Sequence, residues 1–374
     1  MKMKIFIASV PWFFRKNYTD WSYHFNLLKL KKYNKNFQIH FQKSFIRTFF
    51  FNLGFFCLKA TNRIGISSNF FTAIKYRFAV SQNELKAACP DVVFTHGPYP
   101  VNVSHLPVVW QKGIVDINMR RDIGVPQAEI TKEIEMMRPF FQKATIIQVA
   151  SRAAANLTAE FYPETADRIR IVPFFLPNIV AADEENVLKK HKQVDKLQIL
   201  FVGREAIKKG LPEVLKAFYQ IDEEYPSACR LTVVSSFKDG EIEIRKKNNL
   251  KVFNELPNDE VLEMMRQAHV FAMPSMAESF GFTFLEAMAS GAIPIGPAMD
   301  VQKEIFDHGR AGINTDRSVE DLCGKLKFLL KDNDARLAMA LKGHRRFNKK
   351  YSPEAVAGRH YEMFQDAVNQ FRKE

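Results

Sequence analysis

Cysteine is scarce in this chain: Cys57, Cys89, Cys229 and Cys323 are the only four in 374 residues, and no two form a CxxC pair. That scatter excludes a disulfide framework and a structural zinc site of ordinary ligand spacing, and it fits a reducing cytoplasm. Apolar runs of membrane-spanning length are also missing. The densest stretch, Phe41–Leu58 (FQKSFIRTFFFNLGFFCL), is largely apolar for about eleven residues after Arg47, where a bilayer needs about 20. A buried helix is the simpler reading of it, and a dip into an interface is the other. The opening MKMKIFIASV runs into a strand-like segment with no cleavage site, so we expect it in the mature protein. Metal-binding D-x-D is nearly absent: the one example, Asp332-Asn333-Asp334, follows the helical run KLKFLL and reads as a turn or cap.

Acidic residues are missing locally. Residues 1–86 hold 15 Lys and Arg against only Asp20 and Glu84, so the whole net charge of +13 sits there. The other residues balance, 54 − 15 = 39 bases against 41 − 2 = 39 acids. The same segment holds 15 of the 34 phenylalanines. A basic, Phe-rich face suits an anionic surface such as acidic lipid, a phosphorylated lipid carrier or nucleic acid. The other reading is an AT-rich codon bias with most of these phenylalanines in the core.

What is present is an alternation of apolar runs and helical patterns, the mark of parallel α/β units. Strands are expected at Lys4–Val10, Asp91–Thr95, Pro107–Trp110, Thr145–Val149 and Ile169–Phe174, with a helix at Ser151–Tyr162 capped by Ser151. The polar stretch 181–196 (AADEENVLKKHKQVDK) reads as a linker. A second series follows: strands at Leu197–Gly203, Arg230–Ser235, Lys251–Phe253 and Val270–Pro274, helices at Leu211–Tyr219 and Asn258–Gln267. Ser352–Phe371 has the apolar spacing of one long amphipathic helix. At this length two domains are expected.

Ligands in open α/β sheets lie beyond the carboxyl ends of the strands. In Phe201–Gly210 (FVGREAIKKG) a strand ends at Gly203, and Arg204 and Lys209 flank one loop. Two such cations can neutralise a diphosphate; an ordinary solvated loop is the alternative. In Pro274–Gly291 (PSMAESFGFTFLEAMASG) a loop carries Glu278, and a helix is expected to begin near Thr283 with Glu286 in its first turn. A helix N-terminus suits phosphate, and Gly281 removes a side chain where backbone must approach a ligand. Two carboxylates so spaced can accept from sugar hydroxyls, although Glu286 could equally complement the helix dipole.

Together these segments resemble the GT-B glycosyltransferases of family 4, which are retaining. The resemblance rests on FVGREAIKKG, on Asn254–Ser275 (NELPNDEVLEMMRQAHVFAMPS), on PSMAESFGFTFLEAMASGAIPIG, on Lys303–Asp316 (KEIFDHGRAGINTD) and on YSPEAVAGRHYEMF near the end. It implies two doubly wound Rossmann-like domains facing across a cleft. The acceptor-side domain would be 1–180, the linker 181–196 and the donor domain 197–351, with helix 352–374 crossing back onto the first domain. It implies that Glu286 binds the donor ribose and that Glu278 holds the transferred sugar. Gly203, Ser279, Phe280, Gly281, Phe282 and Thr283 would line sugar and diphosphate, with Arg204 and Lys209 on the leaving phosphate. No metal or other cofactor is expected.

The first domain departs from that family. Val10–Phe14 (VPWFF) has no glycine where a Gly-Gly loop is usual, and Gly113 stands near the position of a common histidine. His96 resembles another histidine beside the acceptor cleft; Lys112 and Asp116 are weaker candidates. The expected partners are a UDP- or GDP-sugar donor and a glycan or lipid-linked acceptor. The expected place is the cytoplasm, with the basic segment meeting the inner face of the membrane. The alternatives are a GT-B sugar-nucleotide epimerase or phosphorylase, and a basic nucleic-acid-binding protein. No helix-turn-helix, RRM or zinc-finger pattern supports the last, so no nucleic-acid partner is expected.

Overall fold

A computed structural model of the chain describes residues 2–8, 29–41, 82–96, 103–111, 124–192, 194–238 and 240–373. The Val10–Phe14 loop, most of Phe41–Leu58, Lys112, Gly113 and Asp116 lie outside the described residues. Two compact units emerge: Val125–Pro177 and Pro353–Glu374 join the beginning of the chain in one, and Asn178–Ser352 make up the other.

In the first unit the elements are β1 (Met3–Ala8), α1 (Leu30–Tyr33), β2 (Phe37–Phe41), α2 (Gln82–Ala88), β3 (Val92–His96), β4 (Val108–Gln111), α3 (Gln127–Lys143), β5 (Ile146–Val149), α4 (Arg152–Phe161) and β6 (Ile169–Ile171). The last helix of the chain, α12 (Pro353–Phe371), belongs with them. The strands form one parallel sheet in the order β2-β1-β3-β4-β5-β6. Parallel strands are covered on both faces, which is why they read as continuous apolar runs. On one face α12 lays Val356, Met363 and Phe364 against Ile5, Val92, Phe94 and Val109. The Phe364 ring meets Phe94 edge-on at 5.8 Å. The other face takes Trp110, Ile147 and Val149 against Ile130, Ile134 and Phe141 of α3 and Leu157 of α4. Ser151 caps α4, its hydroxyl accepting from the Ala154 N–H at 3.1 Å.

The second unit runs α5 (Glu184–Lys192), β7 (Leu197–Val202), α6 (Leu211–Glu224), β8 (Cys229–Val234), β9 (Leu250–Phe253), α7 (Asn258–Gln267), β10 (Val270–Ala272), α8 (Phe282–Ala289), β11 (Ile293–Pro297), α9 (Asp300–Ile305), β12 (Ile313–Thr315), α10 (Val319–Lys331) and α11 (Asn333–Lys350). Its parallel sheet has the order β12-β11-β10-β7-β8-β9. From β7 the chain winds outward through β8 and β9, then returns to the other side of β7 with β10. The order therefore reverses between β7 and β10, the topological switch point where ligands bind in such sheets.

The stretch 181–196, expected as a linker, contains α5 instead. Val187 and His191, four residues apart, are buried on one side, and His191 Nε2 lies 2.8 Å from the Gly291 carbonyl. Glu184 and Glu185 open the helix and Lys189, Lys190 and Lys192 close it, which complements the dipole. Its average polarity hides one narrow buried stripe. Asp332 of the D-x-D caps α11, accepting from the Ala335 N–H at 2.8 Å.

Candidate functional site

The loops leaving β7 and β10 are stitched together at the switch point. After β7, the Gly203 N–H donates to the Val234 carbonyl and its own carbonyl accepts from the Ser235 hydroxyl at 2.5 Å. The next residues close a compact turn, with the Lys209 N–H on the Glu205 carbonyl and the Gly210 N–H on that of Ile207. Gly210 begins α6 with φ at +84°, and a β-carbon there would stand 2.5 Å from the Pro274 carbonyl oxygen. Only glycine allows the two loops to come so close. The Met276 N–H then donates to the Lys208 carbonyl at 2.8 Å.

This stitching brings Lys209 and Glu278 together, 69 residues apart in sequence, as an ion pair of 2.8 Å between Nζ and Oε2. Both are mostly shielded from water. Arg204 stands exposed on the same loop, and among the described residues no carboxylate pairs with it. Ser279 is half-buried and Phe280 is buried, its ring 5.6 Å from that of Phe282. Gly281 is the N-terminal boundary of α8 with φ at +84° and no side-chain cap. Phe282 and Thr283 form the first positions of the helix, where N–H groups have no partner within it. Thr283 also places its hydroxyl 3.9 Å from the Met273 sulfur.

Glu286 differs from the expectation. The helix starts at Phe282 and has no acid in its first turn, so Glu286 lies one turn further along. Complementing the dipole does not account for it. The side chain is 9% exposed, and among the described residues no donor reaches its carboxyl. Burial pushes its pKa up to about 7. A carboxyl left buried without a donor is costly, and hydroxyls supplied by a ligand would relieve that cost.

Gln302 was missed by sequence reasoning. It lies wholly buried in α9 and its Nε2 donates to the Phe280 carbonyl at 3.3 Å. The Lys209–Glu278 pair was likewise not legible as a pair. His96 ends β3 in the first unit, its backbone in register with Gln111 of β4, and the donor-side candidates lie in the second unit. Among the described residues no group of His, Cys, Asp and Glu forms a metal-ligand cluster.

The fold is that of the GT-B glycosyltransferases: two α/β units, each with a six-stranded parallel sheet. HepE of Anabaena in complex with UDP and glucose covers 97% of this chain and 99% of its own, with a TM-score of 0.59 at 13% identity. Sucrose-phosphate synthase from Thermosynechococcus elongatus covers 97% and 98%, with a TM-score of 0.66 at 13% identity. In sequence, residues 183–346 match the family model for glycosyl transferases group 1. A D-inositol 3-phosphate glycosyltransferase of Pseudarthrobacter chlorophenolicus is 28% identical over 259 residues, 59% of this chain. The chain spans 60% of the length of that relative. Neither the epimerase nor the nucleic-acid alternative is favoured by these likenesses. No helix among the described residues is long and apolar enough to cross a membrane.

Proposed function

We propose that the chain is a retaining, metal-independent glycosyltransferase of the family 4 type. It moves a hexose-type sugar from a UDP- or GDP-sugar to a glycan or lipid-linked acceptor, in assembly of a cell-surface polysaccharide or lipopolysaccharide at the cytoplasmic face of the membrane. The carrying observation is Glu286, a buried carboxyl with no donor among the described residues, beside a glycine-headed helix N-terminus at the switch point. A ribose diol donates two hydrogen bonds and suits it. Solved HepE with UDP and glucose supports a nucleotide-sugar donor, and the group 1 match supports the placing of the donor in the second unit.

In this reading the N–H groups from Gly281 to Thr283 take the diphosphate, and Arg204 and Lys209 stabilise charge on it as it leaves. Those cations and the helix end supply the positive charge that a metal would otherwise bring. Glu278 accepts from hydroxyls of the transferred sugar. The bond from the anomeric carbon to the phosphate oxygen breaks, its electron pair staying on the phosphate. The acceptor oxygen attacks from the same face, and its proton passes to the departing phosphate. Lys209 neutralises Glu278 in the free site, so the arriving diphosphate draws the lysine and leaves the carboxylate to the sugar.

The test is a thermal-shift screen with UDP, GDP and their sugars in the presence of EDTA. A ligand at 100 times its Kd stabilises by about 2.7 kcal/mol. Glu286→Ala and Arg204→Ala are expected to abolish both the shift and the transfer while melting cooperatively. Full activity in both variants overturns the site.

A further inference from the structure

Gln302 is a polar side chain with no exposed surface, and an apolar residue would fill its place at less cost unless the amide has a task. Half of it has one. Nε2 donates to the Phe280 carbonyl, whereas Oε1 is buried with no partner. A trans peptide holds its C=O and the following N–H on opposite sides. By drawing the Phe280 carbonyl toward α9, Gln302 turns the Gly281 N–H the other way. Among the described residues nothing accepts from that N–H. The next residue boundary is the weak point: Gly281 sits at φ +84° without a β-carbon, so rotation of this peptide meets little steric resistance. A flipped peptide would present an oxygen where the cradle needs a donor.

We propose that Gln302 is a positioning residue, an inference that rests on the proposed donor site: it locks the Phe280–Gly281 peptide so that the Gly281 N–H faces the donor diphosphate. Its orphan Oε1 is then the residual cost of carrying one useful N–H into the core. Gln302 touches no substrate and acts through the backbone alone.

The experiment measures UDP and GDP binding calorimetrically from pH 5.5 to 8.5 for the full chain, Gln302→Leu and Gln302→Glu. Loss of one oriented hydrogen bond predicts about tenfold weaker binding for Gln302→Leu, with the donor KM rising and the melting temperature nearly unchanged. The melting temperature changes little because the orphan oxygen leaves together with the donor to the Phe280 carbonyl, so the loss shows in binding rather than in stability. Gln302→Glu carries a second signature. Its protonated carboxyl donates as the amide does, and its carboxylate repels the Phe280 carbonyl. Affinity relative to wild type therefore falls as pH rises. Equal affinity of Gln302→Leu and wild type at every pH, or a pH-independent ratio for Gln302→Glu, overturns the lock. Absence of UDP and GDP binding by wild type overturns the donor site itself, and the lock with it.

Discussion

A carboxyl mostly shielded from water and given no donor favours its proton, and among the described residues Glu286 is such a group. Burial raises its pKa to about 7 from the usual 4.5. The folded state therefore holds the proton more tightly than the unfolded state. The contribution to stability is complete below about pH 4.5 and is lost as pH rises through about 7, by as much as roughly 3 kcal/mol. Ribose hydroxyls favour the ionised form, so binding of a nucleotide-sugar, whose diphosphate diester does not itself titrate near neutrality, should expel a proton. Affinity is expected to rise with pH between 6 and 8, and Glu286→Gln to bind weakly with a flat profile. Calorimetry in buffers of different ionisation enthalpy counts the proton directly; no release at pH 6.5 sinks the expectation. The residue types at Arg204, Lys209, Glu278, Gly281 and Glu286 are plain in the sequence, because loops and helix starts carry readable chemistry. Burial of a polar group is a property of surroundings, and neither Glu286 nor Gln302 announces it.

Among the elements, α5 shows how composition misleads. Apart from Lys190, whose ammonium donates to the Ser290 carbonyl, its charges face water, and its two buried residues anchor it to the end of α8 and to α11. Around that anchor sits a cluster of bases with no hydrogen-bonded acid among the described residues: Lys190, His191, His269 just before β10, and Arg336 of α11. The Arg336 guanidinium donates to the carbonyls of Leu329 and His191. His269 accepts from the Gln198 N–H on Nδ1 and lies 3.0 Å from the Lys190 carbonyl at Nε2, which makes it neutral. Burial, with Lys190 and Arg336 adding to it, lowers His191 to about 3 and His269 to about 4. The unfolded chain thus binds these protons more tightly, and the contribution to stability is present above about 6.5 and is lost as pH falls through 4. His269→Gln should cost stability at pH 7, with the gap to wild type closing towards pH 4.5. A gap that stays constant in urea melts across that range counts against the cluster. The strands themselves were legible, since burial on both faces writes continuous apolar runs. Their ends were less so: the apolar run to Phe174 outlasts β6, which stops at Ile171.

At the scale of the whole molecule, α12 is the element that departs from chain order. It closes the sheet of the first unit although Asn178–Ser352 intervene. Removing 353–374 uncovers the apolar face around Val92, Phe94 and Val109 and discards Val356, Met363 and Phe364. Three such side chains are worth about 6 kcal/mol of burial, comparable to the stability of a domain. The truncated chain should lose its first unit to protease while the second resists and melts cooperatively. A first unit that survives proteolysis intact would contradict the packing. The two-sheet architecture could be read from alternating patterns; the basic, Phe-rich segment that dominates the charge lies mostly outside the described residues.

The position of α12 also sets a timetable. A ribosome adding about 5–20 residues each second needs roughly ten to thirty-five seconds to make the stretch between Pro177 and Pro353. Throughout that interval the nascent first sheet is fully synthesised yet lacks its cover. Its apolar face is then open to chaperones and to neighbouring chains on the same polysome, and translation speed becomes a determinant of yield.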